Sequence, residues 1–339
     1  MKLNSKSSLA FPRPLLLLLL GTVSVHFVHS APGPMAVNPL IKTVTDDVSE
    51  LGEGPYWDSQ NRALYYVDSV KGDYKRLNPD TRAVQKVNVG NILVSIIIPY
   101  AAENETFIVS RRHQALKLHW PSGNTTVLAT VAPELEGVER FNDGKCDPRG
   151  RLFIGTVLDG PNGDPVPNGG GLYRLDGNKF VELTRGYTIT NGMAWSNDAN
   201  HTRFFLNDSE GRKIYSFDYN IENGTLSNKK VMIDCDQSPD FVKDEYPDGM
   251  AIDKFGFIWV AMWNGGRIVK IDTNTARVVD EVKLPRNKIP SSLAPGDYEG
   301  NSGFFVTTAS IGIPENQKQD DGKILHISFQ GGEVYKFRP

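Results

Sequence analysis

Cysteine is almost absent from this chain: 339 residues contain only Cys146 and Cys235. Two thiols so far apart in sequence cannot build the disulfide framework of a small secreted module. Two buried thiols or a single bridge remain open. Histidine is nearly as scarce, at six. His26 and His29 fall in an N-terminal leader, and His113, His119, His201 and His326 show neither H-E-x-x-H nor any close pairing. A histidine-built zinc site is therefore disfavoured. Neither cysteine has a histidine partner in its neighbourhood, which argues against a thiol nucleophile. There is no G-x-S-x-G elbow, no glycine pattern that follows a strand and opens a helix around a nucleotide, and no D-x-[DN]-x-[DN]-G calcium loop. An excess of one charge is missing too. With 37 basic and 40 acidic residues and 39% hydrophobic residues, the composition is that of a globular protein. It excludes a disordered chain and a basic nucleic-acid binder, so no nucleic-acid partner is expected.

Long apolar runs are confined to the N-terminus. Lys2, Lys6 and Arg13 precede the leucine run Leu15 to Leu20, a milder apolar stretch reaches Val28, and Val28-His29-Ser30 offers short residues for cleavage. That order predicts a cleaved signal peptide over 1–30, a linker over 31–41 and a secreted product. The apolar stretch is marginal for a bilayer and no stop-transfer cluster follows, so no stable membrane span is expected. A product started at Met35 would lack the leader and stay in the cytoplasm. Cleavage removes three basic residues and no acidic one, taking the formal charge from −3 to −6. Five N-x-S/T sequons, at Asn104, Asn124, Asn200, Asn207 and Asn223, fit a secreted glycoprotein.

The chain does have turns. It holds 32 Gly and 21 Pro, and from about residue 42 its apolar residues come in runs of four to six bounded by Gly, Asn, Asp or Pro. That is strand punctuation. A module recurs: a polar-plus-Gly element, an apolar strand, a strand ending in charged or aromatic residues, then a turn. Its copies include Gly52-Glu53-Gly54-Pro55 with Ala63 to Asp68, Asn142-Asp143-Gly144-Lys145 with Leu152 to Thr156, Asn191-Gly192-Met193 with Phe204 to Asp208, and Asp248-Gly249-Met250 with Phe257 to Ala261. A second copy runs from Ile92, and a weaker sixth contains Ser291-Ser292-Leu293. The period matches a propeller blade. The fold predicted for 42–339 is all-β: a six-bladed propeller of four-stranded antiparallel blades, with a strand near Lys42 to Thr45 closing the ring.

Innermost propeller strands line the axis, and their first residues share one mouth. Glu53, Asn191 and Asp248 occupy that position, each followed by Gly, and Asn142-Asp143-Gly144 has the same form. Oxygen donors converging from separate blades suit one hard divalent cation, the glycines giving room for backbone and ligand to approach. Asn-Gly and Asp-Gly are also ordinary hairpin turns that need no ligand.

At these residues the chain resembles the regucalcin/gluconolactonase (senescence marker protein) family. The resemblance covers about residues 45–335 and is carried by Arg140 to Lys145 with Asp147-Pro148, Thr190 to Ser196, Pro247 to Asp253, Ile258 to Ala261 with Asn264 to Arg267, and Gly52 to Pro55. It implies a hydrolase that opens a small sugar lactone with one divalent cation, Ca²⁺ foremost and Zn²⁺, Mg²⁺ or Mn²⁺ as the other candidates. The implied metal ligands are Glu53, Asn191 and Asp248, with Asp248 also catalytic. The implied substrate-binding residues are Arg140 and Asn142. Asp159 falls in the loop after Gly155-Thr156, where the family often has a Glu that meets substrate; it is the shorter candidate substrate-binding residue there, or a plain turn Asp, and Leu293-Ala294-Pro295-Gly296 replaces a Phe-Gly-Gly-type turn. Both departures bear on the sugar lactone more than on the metal. The alternatives are a calcium-binding regucalcin-like protein and a related hydrolase of luciferin-regenerating or phosphotriesterase-like type. The sequence does not specify an oligomeric state.

Overall fold

The computed structural model describes residues 39–101, 103–135, 137–311 and 318–329. The expected signal peptide, Met35 and most of the expected linker lie outside the described residues. Among the described residues the only helical element is the single 3₁₀ turn Pro133–Leu135; everything else regular is strand. No helix of the described residues is long and apolar enough to cross a membrane.

The strands form six four-stranded antiparallel sheets, five of them taken in chain order from the axis outward. The innermost strands are Gly52–Asp58, Ile97–Pro99, Glu139–Cys146, Thr190–Trp195, Tyr246–Ile252 and Pro290–Tyr298. We number the blades one to six in that order. The sixth is completed from the other end of the chain. Leu40–Thr43 pairs antiparallel with Leu325–Ser328, setting Leu40 against Ser328 and Thr43 against Leu325. The ladder runs on where the Val44 amide donates to the Ile324 carbonyl at 2.8 Å. The ring is thus fastened by backbone hydrogen bonds between the two ends of the chain. Leu293 to Gly296 lies inside the innermost strand of blade six rather than in a turn.

Period-2 alternation would bury one face of a sheet, but these sheets are apolar on both faces because each is sandwiched by two others. Ala63–Asp68 is buried throughout. The core is accordingly divided into six wedges, one between each pair of neighbouring blades. Tyr65, Phe107 and Trp120 fill the wedge between blades one and two. Phe153, Trp195 and Phe204 fill that between three and four. Trp57, Leu64, Tyr298 and Phe305 join blade six to blade one, with the Trp57 and Phe305 rings 4.8 Å apart. Both cysteines are free thiols, Cys235 buried and Cys146 partly so. Burial pushes each thiol up to about 12, so neither is a nucleophile at neutral pH.

Register fixes which turns share a face. In blade four Thr190 pairs with Asp208 and Trp195 with Phe204. The start of an innermost strand and the end of the second strand therefore lie on one face, the mouth face. The turns after the innermost strand, and those between third and fourth strands, lie on the far face.

Candidate metal centre at the axis

The innermost strands are irregular where the candidate residues stand. In five blades the pairing with the second strand slips, between Glu53 and Tyr56, Phe141 and Gly144, Thr190 and Met193, Pro247 and Met250, and Pro290 and Ser292. Glu53, Asn142, Asp143, Asn191, Asp248 and Ser291 all lie at or within these slips. A bulge leaves a residue out of the ladder and re-aims its side chain, here toward the axis. Blade two has only the three-residue strand Ile97–Pro99 and no slip, and it supplies no candidate donor.

The glycines after Asn191 and Asp248 make room for the close approach of backbone that the sequence suggests. A Cβ on Gly192 would stand 2.5 Å from the Met250 amide nitrogen, and one on Gly249 would stand 2.5 Å from Ser292 Cα. Both contacts are with the innermost strand of the next blade. These glycines let neighbouring blades close on the axis.

Asn191 and Asp248 meet directly. Asn191 Nδ2 donates to Asp248 Oδ1 at 2.5 Å and to Ser209 Oγ at 3.0 Å. Ser209 Oγ in turn donates to the Pro247 carbonyl at 2.7 Å, and Asn207 Nδ2 donates to the Asp248 carbonyl at 2.6 Å. Asp248 is therefore held by both side chain and backbone, and both it and Asn191 are buried. Asn142 joins the same ring of contacts, its Nδ2 donating to the Thr190 carbonyl at 3.2 Å.

Glu53 comes to this pair through charge. Burial first, then the negative charges of Asp248 and Asp143, hold its carboxyl well above the ordinary carboxylate range, against one backbone hydrogen bond from Gly54. Burial and then Asp143 push Asp248 well up too, opposed by the Asn191 amide. Asp143 is likewise raised by burial, with Lys145 and the Gly144 amide pulling the other way. Carboxyls from blades one, three and five thus act on one another electrostatically, and burial adds to the effect. One cation is at hand. Lys145, whose proton affinity burial lowers, sits two residues deeper along its strand than Asp143. Its Nζ donates to the Met250 carbonyl at 2.7 Å, a chord from blade three to blade five that skips blade four. The sequence places Asp143 and Lys145 in a motif without giving either a role; the sign that marks them is an acid and a base two residues apart at the head of a copy.

Arg140 and Asp159 are paired with each other. Arg140 Nε lies 3.1 and 3.0 Å from the two Asp159 carboxylate oxygens, and both side chains are partly buried. Arg140 stands near the start of its innermost strand, on the mouth face, two residues before Asn142.

No group of three or more His, Cys, Asp or Glu side chains with metal-holding geometry occurs among the described residues. The donor chemistry nevertheless fits a hard cation. Carboxyl and amide oxygens are the donors such an ion takes, and the Glu53 and Asp248 carboxyls are destabilised as anions by burial and by neighbouring carboxyls. A divalent charge would relieve that condition.

The family described as SMP-30/Gluconolactonase/LRE-like region matches residues 51–310. The chain belongs to that family. Regucalcin from Danio rerio is 33% identical over 276 residues, 80% of this chain and 88% of its own length. A luciferin-regenerating enzyme has the same fold at a TM-score of 0.78, with 29% identity over 88% of this chain and 98% of its own. A regucalcin from Agrobacterium tumefaciens, described as a calcium-binding protein, superposes with a TM-score of 0.75 at 19% identity, covering 89% of this chain and 98% of its own. The SMP-30/gluconolactonase fold thus spans all six blades, and lactone hydrolysis is the activity that the family's description attaches to it.

Proposed function

We propose that the chain is a lactone hydrolase that works with one divalent cation held by Glu53, Asn191 and Asp248. One observation supports the reading: the Asn191 amide meets the Asp248 carboxyl, and the charges of Asp248 and Asp143 act with burial to hold the Glu53 carboxyl well above its ordinary range, which links blades one, three, four and five at one end of the axis. Calcium is favoured by the all-oxygen donors and by the similarity to a regucalcin described as calcium-binding. A cation bound there supplies Lewis acidity toward a carbonyl oxygen and stabilises negative charge developing on it.

The protein's own groups divide the remaining work. Asn191 fixes Asp248 through Oδ1, which leaves Oδ2 to accept a proton from an attacking water. Asn142, anchored on the Thr190 carbonyl, presents its amide oxygen to a ring hydroxyl. Arg140 meets Asp159 through Nε, so its terminal amino groups donate to the lactone's oxygens. Asp159 orients that guanidinium. The site lies at the mouth of a walled axis, and Lys145 crosses beneath it, so substrate enters from the mouth face.

The test is Asp248→Asn, which preserves shape and removes the proton acceptor. Hydrolysis of a small sugar lactone with added calcium should fall to background while the thermal unfolding profile stays cooperative. Full activity in that variant would refute the assignment. Calcium binding without turnover of any lactone by the wild type would favour a cation-binding protein instead.

A further inference from the structure

The five sequons are not equivalent in the fold. Asn207 is fully buried at the mouth-face end of its strand, and its Nδ2 donates to the Asp248 carbonyl at 2.6 Å. The other four are exposed. Asn104 lies in the turn between Ile97–Pro99 and Thr106–Arg111, and Asn200 in the turn between Thr190–Trp195 and Arg203–Asp208. Asn223 lies in the turn between Lys213–Asn220 and Thr225–Asp234, and Asn124 opens Asn124–Thr130 directly after the turn from Gln114–His119. The first two turns follow innermost strands and the last two join third to fourth strands. By the register of the blades, all four stand on the far face, in blades two and four.

We propose that the chain enters the secretory pathway and carries N-linked oligosaccharides at Asn104, Asn124, Asn200 and Asn223, and none at Asn207. The donor is a lipid-diphosphate-linked oligosaccharide. At each acceptor the side-chain amide nitrogen forms a bond to the sugar's anomeric carbon. The bond from that carbon to the phosphate oxygen breaks, the lipid diphosphate leaves with the electron pair, and the amide gives up one proton. The hydroxyl two residues on is present in each case: Thr106, Thr126, Thr202 and Thr225.

Geometry separates the four from the fifth. Sugar on the far face projects into solvent from turns and leaves the axial mouth clear. Sugar on Asn207 would replace an amide hydrogen that lies beneath Asp248, in a space with no exposure. A chain modified there cannot seat this side chain, because an unpaired Asp248 carbonyl and a displaced blade four would both result. Folding therefore selects molecules that left Asn207 bare.

The experiment expresses the full chain in a eukaryotic secretory host and collects it from the medium. Peptide-N-glycosidase release in heavy-oxygen water converts each modified Asn to labelled Asp, read by peptide mass spectrometry. Label is expected at Asn104, Asn124, Asn200 and Asn223 and not at Asn207. Each of N104Q, N124Q, N200Q and N223Q should remove one step of glycosidase-sensitive mobility, and the variant combining them should show no shift. Label at Asn207 in folded, secreted protein overturns the proposal. So does a secreted wild type that glycosidase does not shift, or full-length chain that stays unmodified inside the cell.

Discussion

Gly249 offers the sharpest test of how the axis is built. Replacing it with Ala puts a Cβ 2.5 Å from the Cα of Ser292, on the innermost strand of blade six. Carbon atoms rest at about 3.5 Å or more, so roughly 1 Å must be found between two blades. A side chain could rotate away, but here the obstacle includes backbone. Overpacking of this kind costs about 1–3 kcal/mol, and each kcal/mol lowers the melting temperature of a domain this large by about 2–4 °C.

The displacement falls one residue from Asp248, whose position is set by Asn191 and Asn207 on the other side. A misplacement of about 1 Å in a catalytic group can cost about 100-fold in rate. Gly249→Ala should therefore melt lower and lose most calcium-dependent lactone turnover, measured by differential scanning calorimetry and a pH-indicator assay. Gly150→Ala is the control. Its Cβ would meet nothing within 4 Å, and its φ of 79° makes the change strained for a reason unrelated to packing. It should destabilise while leaving turnover intact. If Gly249→Ala melts with the wild type and keeps its activity, the blades do not press together at the axis as argued.

Two further outcomes follow from the charges. Glu53 and Asp248 hold their protons in the fold more tightly than in the unfolded chain, so their contribution is complete below the unfolded carboxyl pKa of about 4 and is lost as pH rises through their raised folded values. Chelated protein should melt progressively lower from about pH 5 to pH 8, and calcium at about 100 times its dissociation constant should restore about 2.7 kcal/mol; equal melting of chelated protein at both pH values would defeat this. Arg140→Lys keeps the charge but not the planar fork that meets Asp159 and the substrate, so KM for the lactone should rise about 10–100-fold with kcat less affected. An unchanged KM would place the guanidinium outside the substrate site.

The architecture was legible because most blades repeat one module, a polar-plus-Gly head and then apolar strands bounded by turn residues. Phe204 to Asp208 and Phe257 to Ala261 announce second strands as plainly as any sheet allows. Blade two was harder to see, since its innermost strand is only Ile97–Pro99 and lacks the polar-plus-Gly head. The positions of Glu53, Asn191 and Asp248 at the heads of their copies could be read from the repeat. Why their side chains turn inward could not. That depends on slips in pairing with the second strand, and a slip is a property of two strands together. Which backbone Gly192 and Gly249 make room for was hidden for a related reason: it depends on Met250 and Ser292, each in the next blade. Asn207 does differ locally from the other sequons, lying within the apolar run Phe204 to Asp208 and having Ser rather than Thr two residues on, but its burial beneath Asp248 is a property of the fold.

The placement of the donors has a consequence for the ring itself. Glu53 and Asp248 stand on blades one and five, and Asp143 on blade three, so their mutual repulsion acts across the axis between blades that share no wedge of core. The packing between neighbours and the closing pair Leu40–Thr43 with Leu325–Ser328 must resist it. A cation among the same side chains reverses the sign of that force and ties the blades together. These residues would then be unfavourable to the empty fold and favourable only to the loaded one, which is the signature of a site retained for function. Joint replacement Glu53→Gln and Asp248→Asn should therefore raise the melting temperature measured in chelator at pH 8 and abolish its response to calcium. A double variant that melts lower than the wild type in chelator would mean that the carboxyls hold the ring together by themselves, and the argument for a shared ion would lose its physical basis.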